Sequence, residues 1–379
     1  MSDRVVHIIE PTLVSDAGHC SIVVQSLCAA GKGLRFRVWV GREAQLAWTE
    51  DPNVEVKPYF YRRLRRLQAA WLYWRLLRSG ARVLITTAGR TDLVLLNLVG
   101  PKPIPPGRVF LYFHQLRLNP RKEAVLRQLA SQQPHLVMIT TTDALEKTLR
   151  AYGFYNTMVI LPIASSPIDG VASGAITEFR HLLVAGAARS DKGFSTAVDF
   201  IGHLASERVA LPISIQISGD HYGRYDKATR TAIERLKTIQ YPFLQVVPET
   251  LTRQDYVRLF RGAICLQPYD RGEYANKLSA ITLDAFTAGA PVVTIASTWM
   301  AEVVNRFEAG VVVEEPTCEA LLKAILTVRH EYARYASSAR RAGSVLTKHD
   351  QWAALISMLN PETLGSERAG GGGYEPSCR

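Results

Sequence analysis

Cysteine is scarce in this chain. Of 379 residues only Cys20, Cys28, Cys265, Cys318 and Cys378 are cysteines, and no two form a Cys-x-x-Cys pair. A disulfide framework and a cysteine-rich zinc site are both excluded, and a reducing compartment fits. Long apolar runs are missing as well: none approaches the roughly 18–20 residues that cross a bilayer. The opening MSDRVVHIIEP lacks the basic-then-apolar-then-small order of a secretory signal. The expected location is therefore cytoplasmic. There is no repeat of fixed period, and no zinc-finger, RNP-type or basic-zipper pattern of the kind that accompanies nucleic-acid binding.

What is present is an ordinary globular composition, 47% apolar and 21% charged, in a chain long enough for two domains. The net charge of +11 is unevenly spread. Residues 1–170 hold 22 Lys/Arg against 12 Asp/Glu, whereas residues 171–379 hold 23 against 22. Nearly all the positive excess lies in the first part, as expected if that part alone meets an anionic surface. A membrane or a phosphate-bearing acceptor suits this better than nucleic acid.

Short apolar runs alternate with helical stretches along the whole chain. Val5–Ile9, Arg35–Val40, Val83–Thr86, Val109–Phe113, Leu136–Ile139 and Met158–Ile160 read as strands, and Glu10–Gly18 as a polar loop before a helix over Ser21–Ala30. After a Pro/Ser/Gly/Ala-rich linker at Leu161–Thr177 the rhythm restarts. The second series has strands at His181–Ala185, Ser214–Ser218, Leu244–Val247, Ala263–Gln267, Pro291–Ile295 and Gly310–Val313. Helices over Ser195–Ala205, Lys227–Thr238, Arg253–Arg261, Ser279–Ala288 and Cys318–Ala336 accompany them. The fold class is α/β, with two Rossmann-like domains at 1–165 and 178–345, parallel sheets and a ligand cleft at the strands' carboxyl ends. A terminal helix within 346–362 is expected to pack back on the first domain, and 363–379, with its Gly370–Gly373 run, reads as disordered.

Three features bear on chemistry. Gly186-Ala187-Ala188-Arg189-Ser190-Asp191-Lys192-Gly193 lies between a strand and a helix, where small residues, free N–H groups and two cations suit a phosphate. A solvated loop containing Arg and Lys by chance is the plain alternative. The second runs from Gln267 to Val293. Ser279 and Ala280 there present N–H groups at a helix start, and Asp284 follows one turn later; on their own these read as an N-cap and an exposed helix carboxylate. The third pairs the loop Asp16-Ala17-Gly18-His19 with Phe113-His114-Gln115.

The order of these pieces over roughly residues 1–345 resembles the GT-B glycosyltransferases that include retaining α-mannosyl- and α-glucosyltransferases, the family 4-like group. Its Gly-rich loop is matched at Gly18, its sugar-side His at His114, and its G-R-x-x-x-x-K-G loop in length by Gly186–Gly193. Its L…P-Y stretch is matched by Leu251–Tyr269, and its E-x7-E-A…G-x-P-V-V block by Asn276–Val293. The family's phosphate-loop Arg falls on Ala187, with Arg189 two positions on, and its two carboxylates fall on Asn276 and Asp284, with Glu273 nearby.

This resemblance implies two sheets facing a central cleft, and hexosyl transfer from a UDP- or GDP-linked sugar with retention and without a cofactor. Arg189, Lys192 and the N–H groups of Ser279 and Ala280 would neutralise the leaving diphosphate. Asp284 would hold the ribose, Asn276 a sugar hydroxyl, and His114 the donor sugar or a nearby backbone group. No Asp-x-Asp triplet is present, so no metal clamp is expected.

Residues 57–82 contain Lys57, Arg62, Arg63, Arg65, Arg66, Arg75, Arg78 and Arg82 and no acidic residue. Phe60, Leu64, Leu67, Trp71 and Trp74 recur at helical spacing, which predicts an amphipathic helix over 59–78. It either lies on an anionic membrane, with a lipid-linked saccharide as acceptor at the inner face of the plasma membrane, or packs Trp71 and Trp74 into the core. In the second case a small soluble acceptor fits. A catalytically silent binding module is the reading from outside enzymes, and an epimerase would need acid–base residues that are not in evidence.

Overall fold

A computed structural model describes residues 5–16, 19–31, 33–46, 51–116, 120–162, 177–219, 223–249, 251–347 and 350–360. The expected linker and tail fall largely or wholly outside these. The described chain forms two compact units: one runs to Pro162 and takes in the last helix, and the other lies between.

The first unit contains β1 (Val5–Glu10), α1 (His19–Ala30), β2 (Arg35–Gly41), β3 (Val54–Phe60), α2 (Arg65–Arg78) and β4 (Arg82–Ile85). It continues with α3 (Arg90–Val99), β5 (Val109–Phe113), α4 (Pro120–Gln132), β6 (Val137–Thr140), α5 (Asp143–Ala151) and β7 (Thr157–Val159). Its sheet has the order β3-β2-β1-β4-β5-β6-β7, with every pairing parallel.

The second unit contains β8 (His181–Val184), a 3-10 turn (Ser190–Lys192), α6 (Phe194–Ser206), β9 (Ile213–Gln216), α7 (Lys227–Thr238) and β10 (Leu244–Val247). It continues with α8 (Arg253–Leu259), β11 (Ala263–Gln267), α9 (Arg271–Tyr274), α10 (Ala280–Ala288), β12 (Val292–Ile295), α11 (Trp299–Phe307), β13 (Gly310–Val313), α12 (Cys318–His330) and α13 (Tyr332–Leu346). Its sheet, also parallel, is ordered β10-β9-β8-β11-β12-β13.

Strands such as Val109–Phe113 and, up to its terminal Gln267, Ala263–Gln267 are apolar because helices cover both faces, and every residue of these two is buried. Helix starts follow side-chain capping: Thr142 accepts from Leu145 N–H, Asp226 from Thr229 N–H and Thr298 from Ala301 N–H. The last helix, α14 (Asp350–Leu359), belongs to the first unit. Trp352 is buried with its ring edge-on to Tyr112 at 6.2 Å, and Arg82 donates to Leu359 O at 2.8 Å.

Several sequence expectations are corrected. Val54–Phe60 is an edge strand: Pro58 hides the alternation, but a proline is tolerated at a sheet edge. The predicted helix over 59–78 therefore starts only at Arg65, and Phe60 is a buried strand residue outside the stripe. Glu10 ends β1 instead of opening a loop. The expected single helix Cys318–Ala336 breaks at Glu331, and α11 was not anticipated.

Candidate functional sites at the two switch points

In an open parallel sheet, ligands gather at the carboxyl ends of the strands where the order reverses. In the second unit that point lies between β8 and β11. The loops leaving these two strands are Gly186–Gly193 and Pro268–Ser279.

Two glycines let these loops meet. Gly186 has φ +87°, and a Cβ there would sit 2.9 Å from Lys192 Nζ, so its lack of a side chain makes room for the ammonium. Gly193 has φ +65°, and any side chain would strike the Pro268 carbonyl at the end of β11. Gly186 N–H donates to Gln216 Oε1 at 2.7 Å, and Asp270 N–H donates to Asp191 O at 3.0 Å. The second of these bonds ties the two loops together through their backbones, and the first fixes the start of the Gly186–Gly193 loop on β9.

Around Asp191 stand three cations. Arg189 donates from Nε to Oδ1 at 2.8 Å and from Nη2 to Oδ2 at 2.5 Å. Lys277 Nζ lies 3.6 Å from Oδ2 and 4.5 Å from the centre of the Tyr274 ring. Burial, with Arg189 and Lys277 nearby, lowers the Lys192 pKa to about 8, although Asp191 pulls the other way. Burial and Arg189 likewise lower that of Lys277, against the pull of Asp191.

Further along, Ser279 is the N-cap of α10 and accepts from Thr282 N–H at 3.4 Å, while Ala280, the first helical residue, is exposed. Thr282 donates to the buried Gln267 at 2.7 Å, anchoring the helix start to β11. Asp284 is half-buried and accepts from the Tyr256 hydroxyl at 3.2 Å. Asn276 is exposed on the loop, next in sequence to Lys277. Sequence reasoning missed Asp191, Lys277 and Tyr256. The Asn-Lys step just before a helix cap was the available signal for Lys277.

In the first unit the order reverses between β1 and β4. Glu10 at the end of β1 is fully buried and accepts from Thr12 N–H at 3.1 Å and from the hydroxyls of Thr12, Thr86 and Thr87 at 2.5, 2.8 and 3.0 Å. Burial nevertheless raises its pKa above the usual carboxylate range. Asp92, also shifted upward by burial, accepts from the Tyr73 hydroxyl at 2.7 Å and from Gly89 N–H at 2.9 Å. A cavity of about 340 Å³ opens here, lined among others by Thr12, Arg65, Arg66, Thr87, Thr91 and Asp92. His114, just after β5, sets Nε2 2.9 Å from Thr86 O and its ring 4.7 Å from that of Tyr112. Gly18 lies outside the described residues.

The α2 helix leaves its tryptophans exposed, as in the first of the two arrangements that the sequence allows. Ala69, Leu72, Tyr73 and Leu76 are its buried residues, whereas Leu67, Trp71 and Trp74 are 73%, 48% and 41% exposed. Arg62, Arg63, Arg65 and Arg66 are exposed with them. Arg75 and Arg78 lie over the Trp71 and Trp74 rings at 5.3 and 5.0 Å. A core-packing role for the two tryptophans is thereby excluded within this unit.

No helix among the described residues is long and apolar enough to cross a membrane, and no group of three or more His, Cys, Asp or Glu is placed to hold a metal ion. No protein-family profile matches the chain, and no curated protein does. Solved structures do match. WaaG, a glycosyltransferase involved in lipopolysaccharide biosynthesis, is 15% identical over 94% of this chain and 100% of its own, with a TM-score of 0.63. HepE of Anabaena, solved with UDP, is 16% identical over 96% and 100%, with a TM-score of 0.62. A glycosyltransferase of Rickettsia africae is 11% identical over 96% and 99%, with a TM-score of 0.67. The fold is that of the GT-B glycosyltransferases.

Proposed function

We propose that this protein is a glycosyltransferase whose second unit holds a UDP- or GDP-linked sugar and whose first unit takes a saccharide acceptor. The observation that carries this reading is the cluster of Arg189, Lys192 and Lys277 around Asp191, at the switch point of the second sheet. Among neighbours of this fold, HepE has been solved with UDP and with UDP and glucose.

In the reaction, the bond between the sugar's anomeric carbon and the β-phosphate oxygen breaks, and its electron pair stays with the diphosphate. The anomeric carbon passes through an oxocarbenium-like state, and an acceptor hydroxyl oxygen bonds to it and gives its proton to the departing diphosphate. The chain's contribution is charge: the Lys192 ammonium, the Arg189 guanidinium and the N–H groups of Ser279 and Ala280 stabilise the departing diphosphate. Asp284, steadied by Tyr256, accepts from ribose hydroxyls, and Asn276 bonds a sugar hydroxyl. His114 orients a hydroxyl at the carboxyl end of β5. Retention of configuration follows from the family resemblance, and no metal is needed where these groups neutralise the leaving group.

The acceptor in this reading is lipid-linked, in cell-surface polysaccharide assembly at the inner face of the plasma membrane. Its support is the exposed face of α2, where aromatic and leucine side chains stand among arginines. One observation favours a silent binding module instead: an amide, Asn276, stands where the resemblance places a carboxylate. Thermal shift with UDP and GDP against uridine and guanosine tests donor binding, since a ligand of the native state raises Tm. Release of free sugar from the stabilising nucleotide sugar then separates an enzyme from a silent module. A panel without any stabilising nucleotide would sink the proposal.

A further inference from the structure

We propose that Lys277 is a diphosphate-binding residue, forming with Lys192 the pair of ammonium groups that holds the two phosphates of the donor. This rests on the donor-site reading and adds to it a residue from the second loop of the switch point.

Placement comes first. Lys192 ends the turn that follows β8, and Lys277 lies on the loop that follows β11; β8 and β11 are neighbours in the sheet. Both ammonium groups therefore reach the switch point, one from each side. The Tyr274 ring, 4.5 Å from Lys277 Nζ, restrains that ammonium. Tyr274 is itself buried and its ring lies 4.7 Å from that of Tyr269.

Next comes the division of partners. The carboxylate of Asp191 is taken in bidentate fashion by Arg189. Lys277 pairs with the same carboxylate at 3.6 Å, a longer and looser contact than either bond from Arg189. Arg189 thus has its planar fork occupied, and Ala187 offers no charge at all. Lys277, held by that carboxylate at only one longer contact, is the cation better placed to partner Lys192.

Then there is the charge count. Arg189, Lys192 and Lys277 are opposed by Asp191 and, more weakly at Lys277, by Glu273. Cations outnumber carboxylates in a partly dehydrated place; burial shifts both lysines toward their neutral forms, and at Lys192 the nearby Arg189 and Lys277 add to it. An arrangement that is unfavourable when empty becomes favourable when a multiply charged anion enters. A diphosphate brings two or more negative charges, spaced to meet two separate ammonium groups; a sugar linked through a single phosphate brings one.

The test is calorimetric titration of UDP, GDP, UMP, GMP, uridine and guanosine into the wild-type chain and into Lys277→Ala, Lys277→Arg and Lys192→Ala, with thermal melts to verify folding. Lys277→Ala should weaken the bound diphosphate by about 10-fold or more, as expected for a lost charge-assisted bond. It should weaken the monophosphate less and leave the nucleoside unchanged, and Lys277→Arg should keep most of the affinity. Wild-type affinity in Lys277→Ala, or an equal loss for nucleoside and diphosphate, overturns the assignment. If Lys192→Ala alone loses the diphosphate, the donor site stands and Lys277 is excluded from it. If the wild-type chain binds neither UDP nor GDP, the donor-site reading itself fails.

Discussion

Arg189 closes both arms of its guanidinium on Asp191, with Nε–Oδ1 at 2.8 Å and Nη2–Oδ2 at 2.5 Å. Sequence spacing alone gives Arg189 and Lys192 the same task, and this pairing separates them. Lys192 approaches Gly186 with only hydrogen where a Cβ would be, while Arg189 is engaged by a carboxylate two residues away.

Lys192→Ala should therefore weaken nucleotide diphosphate binding by roughly 1.5–3 kcal/mol, the range for hydrogen bonds to charged groups, with nucleoside binding unchanged. Arg189→Ala should cost less, because Asp191 already absorbs much of its charge. Titration calorimetry on both variants checks the ranking. A greater loss for Arg189→Ala would mean that the Asp191 pairing opens when the donor binds.

The depressed Lys192 makes a pH prediction. Its pKa of about 8 reflects burial first, then Arg189 and Lys277, with Asp191 and the thiol of Cys265 opposing. A bound diphosphate favours the ammonium and raises that pKa, so binding takes up a proton above pH 8. Diphosphate affinity should fall as pH rises from 8 toward 9.5, and Lys192→Met should flatten the dependence. The empty protein should show the opposite sign. Its folded pKa lies below the unfolded value of 10.5, so its stability rises with pH between about 8 and 10.5. Affinity that stays level in the wild-type chain across this range would remove Lys192 from the phosphates.

Asp284 is held by Tyr256 from α8, which makes it a positioned acceptor and not a loose helix carboxylate. Asp284→Ala should reduce affinity for nucleotide and nucleoside alike, because the ribose belongs to both. Asp284→Asn should cost less, since one acceptor oxygen remains. Tyr256→Phe should give a small loss of the same kind. Calorimetry with uridine and UDP distinguishes this from a phosphate effect, and unfolding of both Asp284 variants would mark the residue as structural.

Much of this was legible in the sequence, for identifiable reasons. Strands buried on both faces announce themselves as apolar runs, so Ala263–Gln267 coincides with its predicted bounds, and the run of three valines made the edge strand Gly310–Val313 equally visible. The edge strand Val54–Phe60 escaped because an edge tolerates Lys57 and Pro58. The Gly186–Gly193 loop was visible as a small-residue turn with two cations. Its internal pairing was not, because Asp191 is one carboxylate among 34 acidic residues. Lys277 comes from a loop some eighty residues later, and only the adjacency of β8 and β11 brings the two together. The direction of the α2 stripe was ambiguous because its helix has apolar residues on both faces.

His7 supplies a stability test within the first unit. It is buried, its Nδ1 accepts from the Trp39 indole N–H at 3.0 Å, and burial followed by the charge of Arg37 lowers its pKa to about 4. Neutral His7 is the form that can accept this bond. Because the unfolded value near 6.5 is higher, the unfolded chain binds the proton first, and stability falls as pH drops from about 6.5 to 4. The loss is at most about 3 kcal/mol for a shift of this size. Urea unfolding of wild type and His7→Gln at pH 7 and 4.5 measures it, and an equal acid loss in both would clear His7.

The exposed face of α2 decides which acceptor class to seek. If it meets a membrane, the protein should sediment with vesicles containing anionic lipid and stay free of neutral ones. Added salt should weaken this, since surface attraction decays within about 8–10 Å at near-physiological ionic strength. Each Arg near such a surface contributes about 1 kcal/mol, so changing Arg62, Arg63, Arg65 and Arg66 to Gln should nearly abolish binding. The structure adds a second arm. Trp71 and Trp74 are exposed while Leu72, Tyr73 and Leu76 form the buried face, so Trp71→Ser with Trp74→Ser should lower vesicle binding and leave Tm almost unchanged. The two sets of variants separate attraction by charge from insertion of aromatic rings. Absence of vesicle binding in the parent chain, or binding untouched by either set, defeats the membrane reading and turns the search to a soluble acceptor.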